Sequence, residues 1–89
     1  MAIILIQHTV KDYAEWKKVF DSVKELRTSS GEISSQIYRD STDPNKITVM
    51  NRWNSSANAQ KFAHSPELMA AMERAGVVGA PAIYFLNEI

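Results

Sequence analysis

The sequence predicts a small α+β domain with the element order βαββαβ and a four-stranded antiparallel sheet. Three observations predict it. Two short apolar runs stand near the ends of the chain, the isoleucine-rich Ala2–His8 and Ala82–Asn87. Two segments with apolar residues at three- and four-residue spacing lie between them, as amphipathic helices require. A turn-rich break at Asp43–Lys46 separates two further runs with β-forming residues.

The first strand is expected over residues 2–8, AIILIQH. Its continuous apolar run suits a strand covered on both faces. Asp12 is a good N-cap, and Glu15 three residues later completes a capping box. The helix that follows is expected from about Tyr13 to Ser29. Tyr13, Trp16, Val19, Phe20, Val23 and Leu26 form its apolar stripe, and Gly31 supplies the stop.

Residues 32–40 and 47–53 read as an antiparallel hairpin turning at Asp43-Pro44-Asn45-Lys46. Asn54 or Ser55 caps a second helix that runs to about His64. Ser65-Pro66 then restarts it, since serine suits the cap and proline the first helical position. Gly76 and Gly79 flank an expected loop ending at Pro81, and residues 82–87 form the last strand.

Right-handed crossovers place both helical regions on one face of the sheet, the ferredoxin-like arrangement. Yet the outer runs are apolar at both parities: Ile3, Ile4, Leu5 and Ile6, then Ile83, Tyr84, Phe85 and Leu86. Helices on one side cannot cover both sets. A second copy of the sheet can, so a two-fold homodimer is expected.

The 89 residues suit one domain, spanning 1–89, with a core that is marginal for its size. No cysteine is present, which excludes disulfides and thiolate metal sites. Ten basic residues balance ten acidic ones, so the positive surface that nucleic acid demands is missing. The N-terminal apolar run is too short to span a membrane and lacks the features of a signal peptide. A soluble cytoplasmic protein is expected. No phosphate-binding loop or nucleophile elbow occurs.

VKDYAEWKKVF (10–20), DPNKITVMNRW (43–53) and SPELMAAMERAGVVGAPAIYFLNE (65–88) together resemble the small cyclase-like proteins of the dimeric α/β-barrel superfamily. That superfamily also holds antibiotic-biosynthesis monooxygenases and heme-degrading monooxygenases. The resemblance implies two sheets packed face to face across a dimer, with a pocket in each subunit between sheet and helices. Heme-degrading members use an asparagine late in the first strand, then a tryptophan and a histidine in the second helical region. Those positions here hold His8, Phe62 and Met72, so the resemblance does not extend to heme degradation. No cofactor is implied, and His8 and His64 have no carboxylate motif that would suggest a metal.

His8 shares parity with Ile4, Ile6 and Val10, which places it at the border of the implied pocket. It is the candidate general base or ligand hydrogen-bonder, against the plainer role of a strand-end histidine bonded to backbone. Trp16, Asn51, Trp53, Phe62 and Met72 are the candidate ligand-binding residues. Each also has a plainer role: the aromatics and Met72 as core, and Asn51 as a buried amide needing a partner. Arg52 has the opposite parity, and an ion pair with Asp40 or Glu88 is its expected role. The expected indole partner of Trp53 lies near its strand end. His64 is expected on the surface at a helix C-terminus.

The function expected from all this is binding of a small apolar or aromatic molecule between sheet and helices, in a cyclase-like or cofactor-free monooxygenase-like enzyme. The alternative is a non-catalytic ligand-binding or structural dimerisation domain.

Overall fold

The computed structural model describes residues 1–89. The elements are β1 (Ala2–Val10), α1 (Tyr13–Ser22), α2 (Lys24–Ser30), β2 (Glu32–Arg39), β3 (Lys46–Trp53), α3 (Ser56–Ala63), α4 (Pro66–Arg74) and β4 (Val77–Asn87). The four strands form one antiparallel sheet in the order β2-β3-β1-β4. The predicted fold therefore holds, with each helical region split in two.

Asp12 caps α1 by accepting from the Ala14 N–H at 2.9 Å. Glu15 does not complete the capping box; it pairs with Lys18 at 3.2 Å. The single helix expected over 13–29 breaks at Val23. The Phe20 carbonyl there is taken by the Arg27 guanidinium, which gives a buried cation an acceptor from the same helical region. Gly31 ends α2 at φ +119°, a conformation that side chains with a Cβ rarely adopt. Ser55 and Ser65 cap α3 and α4 as expected, bonding the N–H groups of Asn58 and Leu68.

The last strand differs from its expected bounds. It begins at Val77, so Gly79 and Pro81 lie inside a strand and not in a loop. Val77 and Val78 pair with Val10 and Thr9, and Ala82 pairs with Gln7. The residues between, Gly79 to Pro81, bulge opposite His8. Gly79 supplies a φ of +73° there, and the edge position of β4 tolerates a proline.

Antiparallel partners share a face. Ile4, Ile6, His8 and Val10 of β1 face the helices, together with Ile47, Val49, Asn51 and Trp53 of β3, and all eight are buried. They meet Trp16, Ala59, Phe62 and Ala75 in one core. The opposite face carries Leu5 and Met50, with Tyr84 and Leu86 beside them; the last two remain 48 % and 45 % exposed. Arg52 lies on this face, paired to Glu88 at 3.0 Å as expected. No helix is long and apolar enough to cross a membrane.

Candidate functional site

A cavity of about 60 Å³ lies between the inward face of β1 and β3 and helices α1, α2 and α4. Ile6 and Val49 form its floor, and Trp16, Phe20, Leu68 and Met72 stand over it. The alternation of β1 and β3 supplies the floor. The three- and four-residue spacing of α1 supplies part of the roof. The volume holds a few water molecules and is well short of the several hundred Å³ of a typical small-molecule pocket. Its roof, however, belongs to helices interrupted at Val23 and at the His64-Ser65 step. Val19, Phe20, Val23, Leu68 and Met72 are only half-buried, and the unbranched Met72 is adaptable.

His8, Trp16, Asn51, Phe62 and Met72 all border this cavity. The structure thus brings together five of the six residues singled out in the sequence. Trp53 is the exception. It is fully buried behind Phe62, ring centroids 4.9 Å apart, and is not part of the cavity wall. Its indole Nε1 makes no hydrogen bond, contrary to the partner expected near the strand end. Packing inside the core has placed the N–H away from any backbone carbonyl.

His8 is 8 % exposed and neither ring nitrogen has a hydrogen-bond partner. The backbone-bonded strand-end histidine is therefore not what forms. Trp16 contacts the imidazole edge to face, with centroids 5.7 Å apart. Burial pushes the His8 pKa below its ordinary value of 6.5, because an apolar surrounding disfavours the charged ring. At neutral pH the ring is uncharged, with one nitrogen able to donate and one to accept.

The other end of the cavity holds a cluster that sequence reasoning missed in part. Arg27 and Glu32 form a buried ion pair, Nε lying 3.1 Å from Oε2 and 3.2 Å from Oε1. The Asn51 amide nitrogen donates to Glu32 Oε2, so Asn51 does have the buried partner its position demanded. The Arg27 guanidinium also lies over the Phe20 ring, 3.7 Å from its centroid. Arg27 sits in the last turn of α2 and Glu32 at the start of β2, and neither was singled out in the sequence. The available signal was their spacing across Gly31, whose sharp turn folds residue 27 back against residue 32.

Other candidates lie elsewhere. His64 is exposed at the end of α3, its Nδ1 2.8 Å from the Gln60 carbonyl oxygen, with its ring parallel to Phe85. That is the surface position expected for it. No three His, Asp or Glu side chains come together in a way that would hold a metal.

A family model described as antibiotic biosynthesis monooxygenase matches residues 1–74. No curated protein matches the sequence significantly. Among solved structures, a Bordetella bronchiseptica protein assigned to the antibiotic biosynthesis monooxygenases is similar at a TM-score of 0.81 and 15 % identity, over 99 % of this chain and 97 % of that one. SnoaB, a cofactor-independent oxygenase from Streptomyces nogalater, is similar at a TM-score of 0.75 and 13 % identity, over 99 % and 94 % of the two chains. A conserved protein from Methanosarcina mazei Go1 is similar at a TM-score of 0.77 and 16 % identity, over 100 % and 94 %. At these identities the likeness is one of fold.

Proposed function

The chain belongs to the antibiotic biosynthesis monooxygenase family, within the dimeric α/β-barrel superfamily, and from that premise we propose that its helix–sheet cavity binds a small apolar or aromatic molecule, with His8 as the polar contact. One observation carries this reading: a histidine more than nine-tenths buried, with both nitrogens unpartnered, borders an apolar cavity. Such a group is costly to bury and is rarely kept without a use. A ligand hydroxyl or carbonyl would give it the missing hydrogen bond. Trp16, Phe62 and Met72 would supply apolar contact, with Asn51 at the far end.

In the catalytic form of this reading, His8 is uncharged at neutral pH and accepts a proton from an acidic ligand group. The family, and the cofactor-independent oxygenase among the structural neighbours, favour a monooxygenase-like reaction in which dioxygen oxidises the resulting anion, one oxygen atom entering the ligand and the other leaving as water. The second reading is a binding module without chemistry. It is favoured by the surroundings of His8, where Trp16 and no carboxylate meets the ring.

We further infer that the protein acts as a two-fold dimer, with the Leu5, Met50, Tyr84 and Leu86 face of the sheet against its counterpart. The exposed apolar side chains on that face support the pairing.

Native mass spectrometry of freshly purified protein tests the ligand reading, with His8→Leu protein as the control. A co-purifying small molecule on the wild type that is lost in the variant is expected. Retention of the same molecule by the variant would remove His8 from the site. Turnover unchanged in the variant would remove His8 as the general base and would also exclude the binding-module form.

A further inference from the structure

We infer that Arg27 and Glu32 are positioning residues that turn the Asn51 carbonyl oxygen into the cavity, making that end a site for the hydroxyl group of a small apolar ligand. This rests on the ligand-binding reading above and names what is recognised at the end away from His8.

Asn51 is 3 % exposed and borders the cavity. Its Nδ2 donates to Glu32. A carboxylate has only acceptors, so the amide nitrogen and not the oxygen must face it. That fixes the flip of the amide and directs Oδ1 away from Glu32. Asn51 makes no other side-chain hydrogen bond, so Oδ1 is free to accept one. Arg27 in turn fixes Glu32 by contacting both carboxylate oxygens, and it is itself anchored on the Phe20 carbonyl and ring. Its remaining N–H groups have no protein acceptor, and Arg27 also borders the cavity.

An acceptor oxygen and free guanidinium donors at one end of an apolar space match a hydroxyl, which donates and accepts together. An ether or ketone would use the donors alone. A ligand carboxylate would meet the charge of Glu32, which already balances Arg27. The register sets His8 apart from this end: Asn51 pairs with Ile4, and His8 with Ile47. Four residue steps along the strand separate the two poles, roughly 13 Å of backbone. Ligand hydroxyls at the two ends are therefore separable by mutation.

The test is titration of the protein with phenol and with anisole, followed by calorimetry and by NMR of cavity residues. Wild-type protein is expected to prefer phenol by roughly five- to tenfold, the worth of one or two net hydrogen bonds. The preference should fall toward one in Asn51→Leu and Glu32→Gln proteins and persist in His8→Leu protein. A merely structural Glu32 would weaken both probes alike and leave their ratio intact. Equal binding of phenol and anisole to the wild type would overturn the inference while leaving the cavity a binding site. Loss of the preference in His8→Leu protein alone would also overturn it. Failure of both probes to bind at millimolar concentration would instead overturn the ligand-binding reading, and this inference with it. Should Glu32→Gln fail to fold, the Asn51 side-chain amide signals of the ligand-free wild type still decide. Slow exchange, lost in Arg27→Lys protein, is expected; rapid exchange in the wild type would overturn the positioning role.

Discussion

The Trp16 indole meets the His8 imidazole edge to face, with ring centroids 5.7 Å apart and planes at 65°. A polar residue within β1 is thus held by an aromatic ring, and its side chain makes no hydrogen bond. Opposite His8, the residues Gly79 to Pro81 depart from the regular ladder. The site combines a locally irregular sheet edge with an uncompensated polar group, and four consequences follow from its physics and its surroundings.

His8→Leu protein should be more stable than the wild type, by about 1 kcal/mol. An unpartnered buried polar ring is replaced by an apolar side chain, and the desolvation cost of its nitrogens disappears. Urea denaturation at pH 7.5 measures this. A loss of stability would mean that His8 has a partner in solution and that its role is structural.

Acid should destabilise the protein through His8. Its folded pKa lies below 6.5, so the unfolded chain binds the proton first as pH falls. Stability is fully present above about pH 6.5. It declines as pH drops from there through the lower folded value, and the His8 contribution levels off below that value. Denaturation midpoints between pH 8 and pH 5 should fall in the wild type. His8→Leu protein should show a shallower decline over the same range. Equal slopes in the two proteins would contradict the burial of a neutral imidazole.

Removing one member of the buried ion pair should be severe. Glu32→Leu leaves the Arg27 guanidinium, 5 % exposed, without its counter-charge. A loss of about 3–5 kcal/mol is expected, a large share of what a domain this small possesses. The double variant Arg27→Met with Glu32→Leu should lose less than Glu32→Leu alone, because no charge is left unpaired. Thermal or urea denaturation of the three proteins measures the coupling. A single variant near wild-type stability would place the pair in solvent.

Leu5→Asp together with Tyr84→Asp should convert a dimer into a monomer without unfolding it. The two residues are partners across β1 and β4 on the face away from the helices. Light scattering at micromolar concentration gives the mass. A wild type that is already monomeric would refute the sheet-to-sheet pairing.

Much of the fold was legible because local chemistry and tertiary structure agree. Asp12, Ser55 and Ser65 cap helices where a cap was expected, and Ser65-Pro66 restarts a helix at the expected step. The apolar stripe from Tyr13 to Leu26 does face the sheet. Two features were not legible. The break at Val23 has no glycine or proline to signal it; it is supported by a tertiary bond from Arg27 to the Phe20 carbonyl. Gly79 and Pro81 argue locally for a loop, and only the edge position of β4 lets them sit within a strand.

The site divides in the same way. His8, Trp16, Asn51, Phe62 and Met72 could be found because strand parity and helix spacing put them on inward faces. Arg27 and Glu32 could not be recognised by polarity, since a charged pair that neutralises itself in the interior looks the same in sequence as two solvated charges. Trp53 shares the parity of Asn51, yet the Phe62 ring stands against it and keeps it out of the cavity.

The most direct measurement is imidazole nitrogen NMR of His8 during titration with hydroquinone, which carries a hydroxyl at each end of its ring and so offers one to His8 as well as one to Asn51. The account predicts that the His8 nitrogens move with saturation, as a neutral ring gains a hydrogen bond, and that Trp16 and Met72 signals move with them. Saturable shifts confined to Tyr84, Leu86 and their neighbours on the open sheet face, with His8 unmoved, would contradict it.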